Sequence, residues 1–194
     1  HRLHEIEVRR QGNTLVGPFL ALVMEKAVKM AESNACMRRI VAAPTAGSCG
    51  VIPAVLLSFE EQEKRPRQEM VQALYVAAGI GEVIAESASI AGAEGGCQAE
   101  IGTASAMAAG ALAFLLGGDN ECIVHAAALA IKMMLGLTCD PVAGLVEVPC
   151  VKRNVAGAVN AVSSAELAVA GLRSKVAPDD VIEAMRRTGR LIPA

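Results

Sequence analysis

The stretch 101-IGTASAMAAGALAFLLGG-118 carries no charge over 18 positions, and its reading decides the fold. A run of that length meets the bare length criterion for a membrane-spanning helix. Its composition argues otherwise: alanine and glycine dominate, Glu100 and Asp119 bound it, and no basic cluster or aromatic belt flanks it. Small side chains let neighbouring helices approach closely, so the run is read as a helix buried on several faces inside a helical protein, with no membrane partner.

Outward from this run the same pattern repeats. Pro18 suits a first helical position, and Leu20, Val23, Met24, Ala27, Val28 and Ala31 follow at three- and four-residue spacing to make one apolar face. Further helices are expected over 50–64, 68–90, 99–116, 121–136 and 154–172. A last one opens with Pro178, Asp179 and Asp180 and stops at Gly189, with proline at the first position and acids in the first turn. No stretch alternates as a strand. The expectation is an all-α fold, a multi-helix single domain over 1–194 whose Gly- and Pro-rich loops converge on one cleft. The absence of an initiator methionine and the abrupt end at "LIPA" lead to the expectation of a fragment, and no signal peptide is recognisable.

Composition removes several function classes. The net charge is −2 and only four residues are aromatic, with a pI near 6.0. Neither a basic field nor a stacking platform for nucleic acid is present. The six cysteines are Cys36, Cys49, Cys97, Cys122, Cys139 and Cys150. Nothing marks the chain as secreted, so a cytoplasmic protein with reduced thiols is expected. Its thiols then serve as core filler, metal ligands or a nucleophile.

The breaks between helices carry the chemistry. In 44-PTAGSCGVIP-53 a loop of small residues feeds a helix N-terminus, where free N–H groups and the helix dipole favour an anion. Thr45 and Ser48 add hydroxyls, and a helix start capped by Ser48 is the plain alternative. In 139-CDPVAGLVEVPC-150 two thiols end a loop punctuated by Pro141, Gly144 and Pro149, so neither is expected inside a regular helix. Cys97 ends a third break, 91-AGAEGGC-97. Three thiolates suit a [4Fe–4S] cluster with one iron left open, zinc could use the same three with His125, and buried structural thiols are the third reading.

The segments "PTAGSCGVIP", "AGAEGGCQAEIGTASAMAAGAL" and "GLTCDPVAGLVEVPCVKRN" resemble the alpha chain, or alpha domain, of the iron–sulfur-dependent L-serine dehydratases, also called L-serine ammonia-lyases. The likeness runs from about Gly12 to the C-terminus. It implies a lyase that converts L-serine to pyruvate and ammonia, with Cys97, Cys139 and Cys150 holding a [4Fe–4S] cluster in a metal-cluster cleft. The open iron would act as a Lewis acid on the leaving hydroxyl and chelate the carboxylate. Thr45, Gly47, Ser48 and Gly50 would bind the substrate carboxylate.

Glu94, Glu147, Lys152, Arg153 and Asn154 flank the cysteines as further candidates, each with a plain reading as a solvated or loop-capping residue. The resemblance also implies a beta chain or domain and a Gly-rich tail beyond this chain, and a homo- or hetero-oligomer. No catalytic base stands out: His125, which reads better as a packing residue, and Lys152 are weak candidates, and the base is expected in the missing domain. A non-catalytic zinc- or cluster-binding subunit is the alternative function.

Overall fold

The computed structural model describes residues 15–38, 41–139 and 147–192, the last range without the side chains of 147–149. Among them there is no strand, and the all-α expectation holds. The helices are α1 (Gly17–Ala35), α2 (Val51–Glu63), α3 (Arg67–Ser87), α4 (Gly92–Cys97), a π-helical turn (Gln98–Gly102), α5 (Thr103–Leu115), α6 (Asn120–Met134), α7 (Glu147–Val169) and α8 (Pro178–Leu191).

The chargeless run forms the centre. Helix α5 packs against α2, α3, α6 and α7 at once, and every one of its residues except Phe114 is buried. Alanines 104, 106, 108, 109, 111 and 113 have no exposed surface, which is how one helix serves four neighbours without voids. The Thr103 and Ser58 hydroxyls are buried without a partner among the described residues, but a polar network pairs the others at the centre. Asn160 on α7 donates to Ser105 Oγ on α5 and to the carbonyl of Ala130 on α6, and Ser105 donates to the carbonyl of Gly157. Burial of these groups is offset by hydrogen bonds that tie three helices together.

No single helix among the described residues is long and apolar enough to cross a membrane; α3 and the α4–α5 stretch pass together by length and composition, but they are bent by 79°. At α6, Asp119 caps the helix by accepting from the N–H of Cys122 at 2.7 Å. Helix α8 begins at Pro178 with Asp179 and Asp180 in its first turn and buries Val181, Ile182, Met185 and Gly189.

Two expectations are corrected at the helix starts. Residues 91–97 are not a loop: Gly92–Cys97 is a short helix that joins α5 through the π turn, with a kink at Gly96 (φ 71°, ψ −172°). Glycine supplies that positive φ without a Cβ penalty, and a Cβ there would meet the carbonyl of Leu137 at 2.9 Å. Helix α7 begins at Glu147 rather than near Asn154, so Cys150 lies inside a helix. A proline within the first turn costs no hydrogen bond, because the leading N–H groups have no intrahelical partner, and Pro149 therefore does not break the helix.

Candidate functional site

Helix ends bring the thiols together. Cys97 ends α4 and Cys150 sits in the opening of α7, and both are buried. Their sulfurs and a carboxylate oxygen of Glu100, on the π turn, all lie within 4.8 Å of one another. Cys139 is exposed, and with Cys150 it lines the cleft beside this group. No cysteine among the described residues is in a disulfide.

Arg153 lies three residues beyond Cys150 on the same face of α7. Its Nη1 donates to Cys97 Sγ at 2.9 Å and to the carbonyl of Thr138 at 2.8 Å. One guanidinium thus joins the end of α4, the segment leading to Cys139, and α7. The thiol of Cys150 donates to Cys97, and together with Arg153 this lowers the Cys97 pKa to about 6 against the opposing effect of burial. Cys150 moves the other way, held protonated by its bond to Cys97, by burial and by the negative charge of its neighbours. The pair therefore carries its negative charge on Cys97.

The cleft has a volume of about 440 Å³ and draws on α1, the 41–50 loop, α4, the π turn, Cys139 and the start of α7. The described parts of the three breaks marked in the sequence do converge. Asn154, with no exposed surface, holds the loop in place: its Oδ1 accepts from the N–H of Gly50 at 2.8 Å, and its Nδ2 donates to the carbonyls of Gly47 and Cys150. Asn34 on α1 donates to the carbonyl of Ala46.

Within the loop, Ser48 is fully buried. Its hydroxyl bonds to Thr45 Oγ1 at 3.0 Å and donates to the carbonyl of Ala43. It does not cap α2: Gly50 is the N-cap residue, and no side chain caps that end. Gly47 and Cys49 line the cleft, while the N–H of Gly50 is taken by Asn154. Burial raises the Cys49 pKa.

The remaining candidates separate. Lys152 is exposed and does not line the cleft. Glu94 is exposed and accepts from Ser89 Oγ at 2.7 Å. His125 lies on α6 with Nε2 3.6 Å from Glu121, and its Nδ1 is buried without a partner. Among the described residues the ligating group beside the two buried thiols is Glu100, and His125 is not part of it. The side chain of Glu147, and Asp140, Pro141 and Gly144, lie outside the described residues. Glu100 is the residue that sequence reasoning missed, although its position three residues after Cys97 was a usable sign.

The family model for the serine dehydratase alpha chain matches residues 2–194. This chain belongs to the serine dehydratase alpha chain family. It is 50% identical over 184 residues to the "Probable L-serine dehydratase, alpha chain" of Bacillus subtilis, covering 95% of this chain and 61% of that protein. It is 50% identical over 183 residues to the L-serine dehydratase alpha chain of Peptoniphilus asaccharolyticus, covering 94% and 63%. The L-serine dehydratase TdcG of Escherichia coli is 45% identical over 166 residues, 84% of this chain and 37% of that protein. The chain thus spans about three fifths of the length of the Bacillus and Peptoniphilus alpha chains.

Proposed function

We propose that this chain carries the metal centre and part of the substrate cleft of an L-serine dehydratase, with Cys97, Cys139 and Cys150 as ligands of a [4Fe–4S] cluster. The observation that carries the reading is the meeting of two buried thiols with a third cysteine on one cleft, one of the buried pair held as a thiolate. Thiolate is the form that ligates iron, and an all-sulfur donor set from three residues suits a cluster with one open position. When bound, such a cluster supplies a Lewis acid for the hydroxyl and carboxylate of serine.

The chain's own residues do the rest. The thiol of Cys150 and the guanidinium of Arg153 together favour the thiolate of Cys97, and Arg153 ties α7 to the end of α4 and to the segment leading to Cys139. Asn154 holds the 45–50 loop against α7, so that the backbone at Gly47 borders the substrate volume. In this reading Thr45, Gly47, Ser48 and Gly50 form the carboxylate side of the cleft, with Ser48 and Gly50 acting through the shape of the loop. In this reading the base that takes the α-proton is supplied from the missing domain, and among the described residues Lys152 does not line the cleft and His125 is outside the thiol group.

Anaerobic reconstitution with iron and sulfide, followed by a pyruvate assay with and without the beta partner, tests the reading. Pyruvate formation that requires both cluster and partner is expected. A protein that binds zinc but assembles no cluster under these conditions would overturn it.

A further inference from the structure

Glu100 is the single charged side chain lining the cleft among the described residues. It forms no salt bridge with any described lysine or arginine. Its carboxylate rests between two glycine backbones: a Cβ at Gly47 would stand 3.1 Å from both oxygens, and one at Gly92 would stand 2.5 Å from Oε2. Side chains are thus excluded on both flanks, and the carboxylate faces the cleft half-buried. A carboxylate drawn partly out of water, with no salt bridge to a described lysine or arginine, is a site for a cation supplied by something else.

We propose that Glu100 binds the α-ammonium group of the amino-acid substrate. The inference rests on the dehydratase reading and deepens it. A serine held by its hydroxyl and carboxylate at the thiol-bound centre presents its ammonium within reach of a carboxylate that lies within 4.8 Å of Cys97 and Cys150. The ammonium end of the zwitterion then lies against the anionic Glu100, beside the Gly47 and Gly92 backbones that flank that carboxylate. It selects α-amino acids over hydroxy acids of the same length.

The test uses the cluster-loaded enzyme assembled with its beta partner. Glu100→Gln removes the charge and keeps the shape, and Glu100→Asp keeps the charge on a shorter arm. Four quantities are read on each: iron and sulfide content, thermal midpoint, KM for L-serine, and the inhibition constant of 3-hydroxypropanoate, which is serine without its amino group. Loss of one charge-assisted hydrogen bond corresponds to roughly a tenfold to hundredfold rise in KM for Glu100→Gln. The 3-hydroxypropanoate constant and the cluster content should stay unchanged, and Glu100→Asp should recover part of the loss. Loss of iron from Glu100→Gln would make Glu100 a metal ligand and overturn the proposal, as would equal weakening of serine and 3-hydroxypropanoate, or an unchanged KM. If the wild-type enzyme makes no pyruvate, the dehydratase reading falls, and L-serine affinities measured by calorimetry on the same variants decide the Glu100 assignment by the same comparison.

Discussion

Arg153 and Cys97, 56 residues apart in the chain, meet through a 2.9 Å hydrogen bond from guanidinium to sulfur. Donation from the Cys150 thiol, joined by this fixed positive charge, lowers the Cys97 pKa to about 6 from the usual 9 against the effect of burial. The two hydrogens of Nη1 reach the sulfur and the Thr138 carbonyl, and a guanidinium stays charged throughout the pH range in which the thiol titrates.

Replacing Arg153 by Ala should raise the Cys97 pKa in the metal-free protein. In the wild type the thiolate persists as pH falls towards about 6; in Arg153→Ala it should be lost at higher pH. Thiolate ultraviolet absorbance followed against pH reads the difference. A midpoint that does not move would show that Cys150 alone sets the Cys97 charge.

Asn154→Ala should be among the most damaging polar substitutions. It leaves the N–H of Gly50 and the carbonyl of Gly47 without their partner and removes the extra bond to the Cys150 carbonyl. A buried group left unsatisfied costs ~1–3 kcal/mol, so a loss of at least ~2 kcal/mol is expected, seen as a lower denaturant midpoint at unchanged slope. Asn154→Asp keeps the acceptor but not the two donated bonds and should also destabilise.

Ser48→Ala tests the loop. The hydroxyl is buried and bonded to Thr45 and Ala43, so its loss should lower the thermal midpoint by the equivalent of ~0.5–1.5 kcal/mol. Because the same loop carries Gly47 to the cleft, the KM for serine should rise as well. A raised KM with an unchanged midpoint would instead mean that the hydroxyl itself binds substrate.

The helical fold was legible because its signal is repetitive. The chargeless run 101–118, the spaced apolar residues after Pro18 and the opening of α8 each predict an element that the structure contains. The regions that shape the site were harder. "AGAEGGC" reads as a loop from its glycines, yet it folds as α4 because Gly96 takes up the one positive φ the turn needs. Pro149 reads as a helix breaker, yet within the first turn it displaces no hydrogen bond. The convergence of Cys97, Cys139 and Cys150 followed from the family likeness, since long spacings alone carry little information. Glu100 escaped notice because its direction depends on the π turn, which no local propensity announces.

The central claim is that three particular thiols out of six hold the cluster. The most direct measurement is iron and sulfide content after anaerobic reconstitution of single Cys→Ser variants. Cys97 and Cys150, which meet at Glu100, and Cys139, which lines the adjoining cleft with Cys150, should each be required. Cys36, exposed at the end of α1, and Cys122, buried on α6, belong neither to that thiol group nor to the cleft lining and should be dispensable. Full cluster content in any of the first three variants, or equal loss from Cys36→Ser or Cys122→Ser, would contradict the account.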